Sequence, residues 1–264
     1  MATEELVEQL ENGVLWITLN RPEKLNALTT AMIDGLHTSL EKASVNEEVR
    51  VVVLHGAGRG FCAGGDVGSM AEEKTEPVAI EVKAQQLRMG VESARLLYEM
   101  PKPTIAMTRG PVAGAGLSLA LACDMIIASD TLKMTSAFIN VALSGDFGST
   151  YFLVHRLGHR AREFALLSPV LKADEAKELG LVNRVIPDDQ LHAETEKLAL
   201  KLAAGPGITQ GHIKANLNFV EQGATLAQLL DQESIRHIRC GATDDHHEAA
   251  SAFMEKRSPV FRNR

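Results

Sequence analysis

Two stretches of small residues are the parts of this chain best suited to chemistry. "GRGFCAGGD" (Gly58–Asp66) follows the apolar run Val51–Leu54, and "GPVAGAGLSLA" (Gly110–Ala120) follows "TIAMT" (Thr104–Thr108). Small residues between a strand end and a helix start let a ligand approach backbone N–H groups that a first helical turn leaves unpaired. Two such loops can aim two N–H groups at one point. A pair of donors about 3 Å from one oxygen is an oxyanion hole, which stabilises negative charge developing on a thioester or ester oxygen. For either loop alone, a tight strand-to-helix turn is the simpler reading.

Competing chemistries fit less well. Gly58-x-Gly60-x-x-Ala63 matches a loose dinucleotide fingerprint. Gly64, Gly65 and Asp66 then stand where its helix should begin, and no strand-end acid follows about 20 residues on. Gly116-Leu117-Ser118 approaches a nucleophile elbow but lacks the closing glycine. Ser118 in an apolar helical run is simply explained as a hydroxyl bonding its own backbone. "DDHHE" (Asp244–Glu248) reads as an acidic helix start rather than a metal cluster, since adjacent histidines cannot share a helix face. Cys62 has no base beside it, and His55 at a strand end reads as structural. No metal motif is found.

The elements that must position these loops follow from periodicity. "GVLWITLN" (Gly13–Asn20), Val51–Leu54, Thr104–Thr108 and "DMIIAS" (Asp124–Ser129) read as strands. Met32, Leu36 and Leu40 mark a helix with Thr29 or Thr30 at its cap. A long helix is expected from about Val78 to Met100 after a polar stretch, Met70 to Pro77, and Pro101 and Pro103 end it. Shorter helices are expected near 149–157, 160–167 and 173–178. From Asp188 onward the chain reads as almost entirely helical: 188–204, 208–221, 226–239 and 244–256. A strand, a Gly/Ala-rich loop and a helix start therefore occur twice in the N-terminal part.

Composition narrows the function classes. A net charge of −7 and aromatics at 4% argue against a general nucleic-acid or membrane-surface role. An anionic ligand would need a local basic patch. Three cysteines without metal spacing fit a reducing, cytoplasmic setting. "MATEELVEQLEN" has neither the basic start nor the apolar stretch of a signal peptide. Leu117–Ala128, the most apolar region, is too short to span a bilayer and contains Asp124.

Over nearly its whole length the chain resembles the crotonase, or enoyl-CoA hydratase/isomerase, family. "LNRPEKLNAL", "GAGRGFCAGGD", "GPVAGAGLSLALACD", "AKELGLVNRVI" and "SAFMEKRSPVF" follow the family's signatures in order. The resemblance implies an α/β fold, a crotonase-like spiral of repeated ββα units with a helical C-terminal trimerisation region. Residues 1–200 would form the spiral core with an acyl-CoA site. Residues 201–264 would form the helical part that trimerises and completes the CoA site. The implied assembly is a homotrimer or a dimer of trimers. No cofactor is implied, since coenzyme A arrives as part of the substrate.

The resemblance maps the two oxyanion donors onto the N–H groups of Ala63 and Ala115. It places CoA contacts at Arg21, Lys24, Leu25, Ala27, Ala63, Gly64, Gly65 and Asp66, although the simpler role of Asp66 is to brace its loop. Phe253 and Lys256 match positions on the last helix that reach a neighbouring subunit's CoA. Arg257 reads as a surface charge. At the positions of the two hydratase glutamates this chain has Ser118 and Phe138, which counts against simple water addition. Some family isomerases carry a carboxylate in a loop matching "ALSGDFGST"; Asp146 occupies it, with Gly145 in place of the usual proline. The expected activity is a double-bond shift in an enoyl-CoA, with Asp146 removing a proton and returning it at another carbon. The plain alternative is that Asp146 caps a helix starting near Phe147. Enoyl-CoA hydration, thioester hydrolysis through Asp146, and a non-catalytic scaffold or RNA-binding role are the other readings.

Overall fold

The structure is a computed structural model and describes residues 4–66, 68 and 79–264. Six strands make the main sheet: β1 (Leu6–Glu11), β2 (Val14–Leu19), β3 (Val51–Gly56), β4 (Thr104–Thr108), β6 (Met125–Ser129) and β9 (Arg184–Ile186). Their order is β1-β2-β3-β4-β6-β9; β1 runs antiparallel to β2 and all other pairs are parallel. Val51–Leu54 and all of β4 are buried, as expected for central parallel strands covered on both faces. β1 buries only Leu6, so the alternating acidic N-terminal stretch is a solvated edge strand. A second, smaller sheet joins β5 (Pro111–Ala113), β7 (Lys133–Thr135) and β8 (Leu171–Lys172) in the order β5-β7-β8.

Helices cover both faces of the main sheet. On one side lie α1 (Thr30–Val45), α2 (Ile80–Gly90), α3 (Glu92–Glu99) and α4 (Ala115–Ala122). Thr29 caps α1 by accepting the Met32 N–H at 3.1 Å, and Met32, Leu36, Leu40 and Ala43 form its buried stripe. Lys102 closes its other end by donating to the carbonyls of Ala43 and Asn46. All eight residues of α4 are buried, so it is a helix of the core itself.

The single helix expected over 78–100 is two. α2 buries nothing, α3 buries Ser93, Ala94 and Leu97, and the change of direction falls at Gly90–Val91. The expected polar stretch Met70–Pro77, the first residue of that helix, and the helix start expected after the first glycine loop lie outside the described residues.

Further along come α5 (Ser149–Leu157), α6 (Arg160–Leu167) and α7 (Ala173–Glu178). α8 (Leu191–Ala203) packs on the opposite face of the sheet, with Leu191, Ala199 and Ala203 against Val14, Trp16, Val51 and Val53. The C-terminal helices α9 (Gly207–Glu221), α10 (Leu226–Gly241) and α11 (Asp244–Glu255) follow. Lys214 of α9 is buried and ties the helix to the core, donating to the Leu97 carbonyl at 2.8 Å and pairing with Asp124 at 2.9 Å. α10 buries no residue, and Leu226, Leu230, Ile235 and Ile238 remain exposed on it.

Candidate active site

The first glycine loop leaves the end of β3 and is held from below by Asn26. This residue is fully buried at φ 57°, a left-handed conformation that asparagine tolerates better than most side chains. Its side-chain NH₂ lies within hydrogen-bond distance of the carbonyls of Ala57 (2.9 Å), Gly60 (2.8 Å) and Phe61 (3.2 Å). Its carbonyl oxygen accepts the Arg21 N–H at 2.8 Å. An asparagine in a loop with a proline gives no sign of this clamp in the sequence. A Cβ on Gly56 would fall 2.2 Å from the Phe61 carbonyl oxygen and 2.6 Å from Asn26 Nδ2, so this clamp closes only over a glycine.

The pairing of residues 25–28 with 63–66 decides which amides are free. Ala63 N–H donates to the Leu25 carbonyl at 2.9 Å, Leu28 N–H to Gly64 at 2.8 Å, and Asp66 N–H to Leu28 at 3.2 Å. The amide of Ala63 is therefore committed, which corrects its assignment as an oxyanion donor. Alternation along the extended segment turns the Gly65 N–H the other way, and it has no partner among the described residues.

The second loop lies directly against the first. Cys62 bridges Val112, and Ala113 N–H donates to the Cys62 carbonyl at 3.0 Å. A Cβ on Gly64 would lie 3.6 Å from Gly114 Cα, and one on Gly116 would lie 2.5 Å from the Cys62 carbonyl oxygen. The small residues thus serve close backbone approach between the loops. Gly114 turns at φ 54°, ψ −127°, a region reserved for glycine, and delivers the chain into α4 with Ala115 as its first residue. The Ala115 N–H is one of the donors that a helix start leaves open, at the positive end of the helix dipole. Ser118 Oγ donates back to the Gly114 carbonyl at 3.3 Å, so the hydroxyl is no nucleophile. Burial pushes the Cys62 thiol up to about 12 and the imidazole of His55, bonded to Thr18 at 2.9 Å, down to about 4. Both are structural groups.

Phe138 joins these loops to the third. It opens a 3₁₀ turn (Phe138–Val141) held between Ala137 and Ala142, both in left-handed backbone. Its ring edge comes within 3.9 Å of where a Cβ on Gly114 would stand and 4.0 Å of the same point on Gly145. Asp146 follows Gly145. Its side chain does not cap a helix: α5 begins at Ser149, its cap is Gly148, and only the backbone carbonyl of Asp146 takes part, accepting the Ser149 N–H at 2.9 Å. Oδ1 of Asp146 is buried without a hydrogen-bond partner, and burial pushes the carboxyl up to about 6. A buried carboxyl raised to about 6 is the kind of group that can exchange a proton near neutral pH.

The chain is similar to known proteins over nearly its whole length. The enoyl-CoA hydratase/isomerase family profile matches residues 9–264. The chain belongs to that family. The 1,2-epoxyphenylacetyl-CoA isomerase of Escherichia coli K12 is 38% identical to this chain over 98% of both chains. The same organism's 2,3-dehydroadipyl-CoA hydratase is 32% identical over 98% of this chain and 99% of its own. The crystal structure of an enoyl-CoA hydratase from Polaromonas sp. JS666 superposes with a TM-score of 0.90 at 32% identity, covering 97% of this chain and 99% of that one.

The remaining expected contacts divide into two groups. Leu25, Ala27, Ala63, Gly64, Gly65 and Asp66 meet around the first loop. Arg21 is there too, but as a brace: it pairs with Asp66 at 3.0 Å and Glu5 at 3.3 Å and donates to the Ala27 carbonyl at 2.8 Å. These contacts tie Arg21 and Asp66 together at the loop. Lys24 is exposed and has no ion-pair partner among the described residues. Phe253 is 82% exposed near the end of α11, and Lys256 ends that helix in left-handed backbone, also unpaired. Arg257 is held locally by Glu248 at 2.6 Å.

Proposed function

We propose that this protein isomerises an enoyl-CoA through an enolate. Asp146 acts as the acid/base, and the N–H groups of Gly65 and Ala115 receive the charge. The observation that carries the reading is the buried, unpartnered Oδ1 of Asp146, with its carboxyl pushed up to about 6. The carboxylate removes a proton from the carbon skeleton of the thioester. The electron pair moves onto the carbonyl oxygen, where the two donors stabilise it. The resulting carboxylic acid returns the proton to another carbon, and the double bond has moved. One carboxyl suffices, because the base of the first step is the acid of the second.

Hydration additionally requires a positioned water. The ring of Phe138 and the committed hydroxyl of Ser118 supply no group for that, which favours isomerisation over hydration or hydrolysis. No cofactor is needed. Lys24, exposed beside the first loop, is a cation that could meet the CoA phosphates within the subunit. The exposed Phe253 and Lys256, with the uncovered apolar face of α10, fit a trimer in which the last helix completes a neighbour's site.

The test is a panel of 2-enoyl-, 3-enoyl- and ring-acyl-CoAs in heavy water, followed by mass spectrometry. Deuterium at the α- or γ-carbon without a mass gain of 18 is expected. A hydrated product or free thiol as the main outcome replaces isomerisation with hydration or hydrolysis.

A further inference from the structure

A cleft of about 790 Å³ lies between the end of α1, the turn before β4, the start of α9 and the C-terminal tail. It takes no residue from the glycine loops or the Asp146 loop. Four cations line it, Arg50, Lys102, Arg262 and Arg264, with His212 beside them and Glu47 the single acidic side chain of the lining. In a chain whose net charge is −7, this is a marked local reversal.

The cations are compensated only in part: Asp244, Asp245 and Glu248 share an adjoining cleft with Arg262 and Arg264, and Lys102 donates to the carbonyl end of α1. Arg262 and Arg264 are exposed and have no ion-pair partner among the described residues. The Arg50 guanidinium bonds only neutral oxygens, the Gly205 carbonyl at 2.6 Å and Asn263 Oδ1 at 2.9 Å. Burial and then the charge of Arg50 push Lys102 down to about 8. His212 is lowered by burial, then by Arg236 and Arg239 behind it. Asp245 attracts Arg50, but its two oxygens are taken by the tail amides of Arg262 and Asn263. The positive end of the 15-residue helix α9 adds to the field, and Ile208, whose N–H is open, lines the cleft.

We propose that this cleft binds a small polyanion bearing two or more phosphoryl groups, apart from the acyl-CoA site. Planar guanidinium forks and an open helix N-terminus recognise phosphoryl oxygens in this way. The volume exceeds what one phosphate fills and lies in the range of small-molecule sites. The proposal does not depend on the isomerase reading. An anion here would tie the tail and the start of α11 to α1 and α9.

The experiment is calorimetric titration of the intact protein with inorganic pyrophosphate at low salt, with and without saturating acetyl-CoA. Saturable binding is expected that weakens with added salt, persists with acetyl-CoA present and raises the melting midpoint. Arg262→Ala/Arg264→Ala should weaken it about tenfold or more, while Lys24→Ala leaves it unchanged. Both arginines are exposed, so the double variant should melt as the parent does; Arg264→Ala alone serves if it does not. Absence of saturable binding up to about 5 mM, roughly the weak end of specific binding, overturns the proposal. So does unchanged affinity in the arginine variants, or displacement by acetyl-CoA.

Discussion

Asp146→Asn separates stability from catalysis in a way that only an unpartnered buried base allows. In the folded protein burial raises this carboxyl from its ordinary 3.8 to about 6. Between those two values the unfolded chain releases its proton while the folded chain keeps it, so stability falls as pH rises through the window. The gap is worth up to about 3 kcal/mol at neutral pH, using about 1.36 kcal/mol per pKa unit. Asparagine keeps the shape and carries no charge to desolvate, so the variant should be more stable than the parent at pH 7. The amide's own unmet hydrogen bonds and partial solvent screening reduce the gain to about 1–3 kcal/mol, a melting shift of roughly several degrees for a chain of this size. Below pH 4 the parent is protonated too, and the advantage should vanish. Turnover should be lost, because the amide cannot accept the proton. In the parent, kcat/KM should rise with pH through about 6 and then level. Melting curves at pH 3.8 and pH 7, at one protein concentration, with enoyl-CoA turnover beside them, make the assay. A variant less stable than the parent at pH 7, an equal gain at both pH values, or turnover within about tenfold of the parent would refute the reasoning.

Three further outcomes are expected. Ala115→Pro deletes one oxyanion donor at the helix position where proline is best tolerated, so helical circular dichroism should persist while kcat drops about 10²–10³-fold. Asn26→Asp turns a carboxylate onto the carbonyls of Ala57, Gly60 and Phe61. It should destabilise by about 2–4 kcal/mol in denaturant unfolding, and by more at pH 8 than at pH 4. Lys256→Glu should raise KM for an acyl-CoA severalfold with kcat nearly unchanged, and an unchanged KM removes the proposed contact with a neighbour's substrate.

The parts of the fold written as long apolar runs or helical stripes were legible in the sequence. Val51–Leu54 and Thr104–Thr108 are buried strands, and the C-terminal third is helical. The two- and three-residue strands β5, β7, β8 and β9 were not, since so few residues carry no period. β1 was hidden for another reason: an edge strand with one buried residue has almost no apolar face to display. At the site, the loops could be read but the donor could not. Whether Ala63 or Gly65 offers its N–H depends on the phase of an extended segment, and the bridge between Leu28 and Gly65 sets that phase. The role of Asp146 was open for a similar reason. Capping and acid/base work use the same residue type, and the difference is that α5 starts two residues after Phe147 rather than at it.

The same logic explains why the site can hold backbone conformations that side chains avoid. Leu25, Asn26, Ala137, Ala142 and Phe147 all have φ between 46° and 59° and all border it. Each costs about 1 kcal/mol or more, so such a cluster persists only where neighbouring groups over-determine it. Asn26 does this for the first loop through three carbonyls. Ser168 does it for the third, with its Oγ accepting the Ala137 N–H at 2.8 Å and lying 3.2 Å from Ser136 Oγ. Both clamps are buried side chains from outside the segment they hold. Around the two glycine loops and the Asp146 loop, the N–H groups of Gly65 and Ala115 and the oxygen Oδ1 of Asp146 have no hydrogen-bond partner among the described residues. Under the proposed isomerisation a substrate carbonyl would meet the two N–H groups and Asp146 would take a carbon-bound proton, so binding and proton transfer would draw on the same unmet interactions.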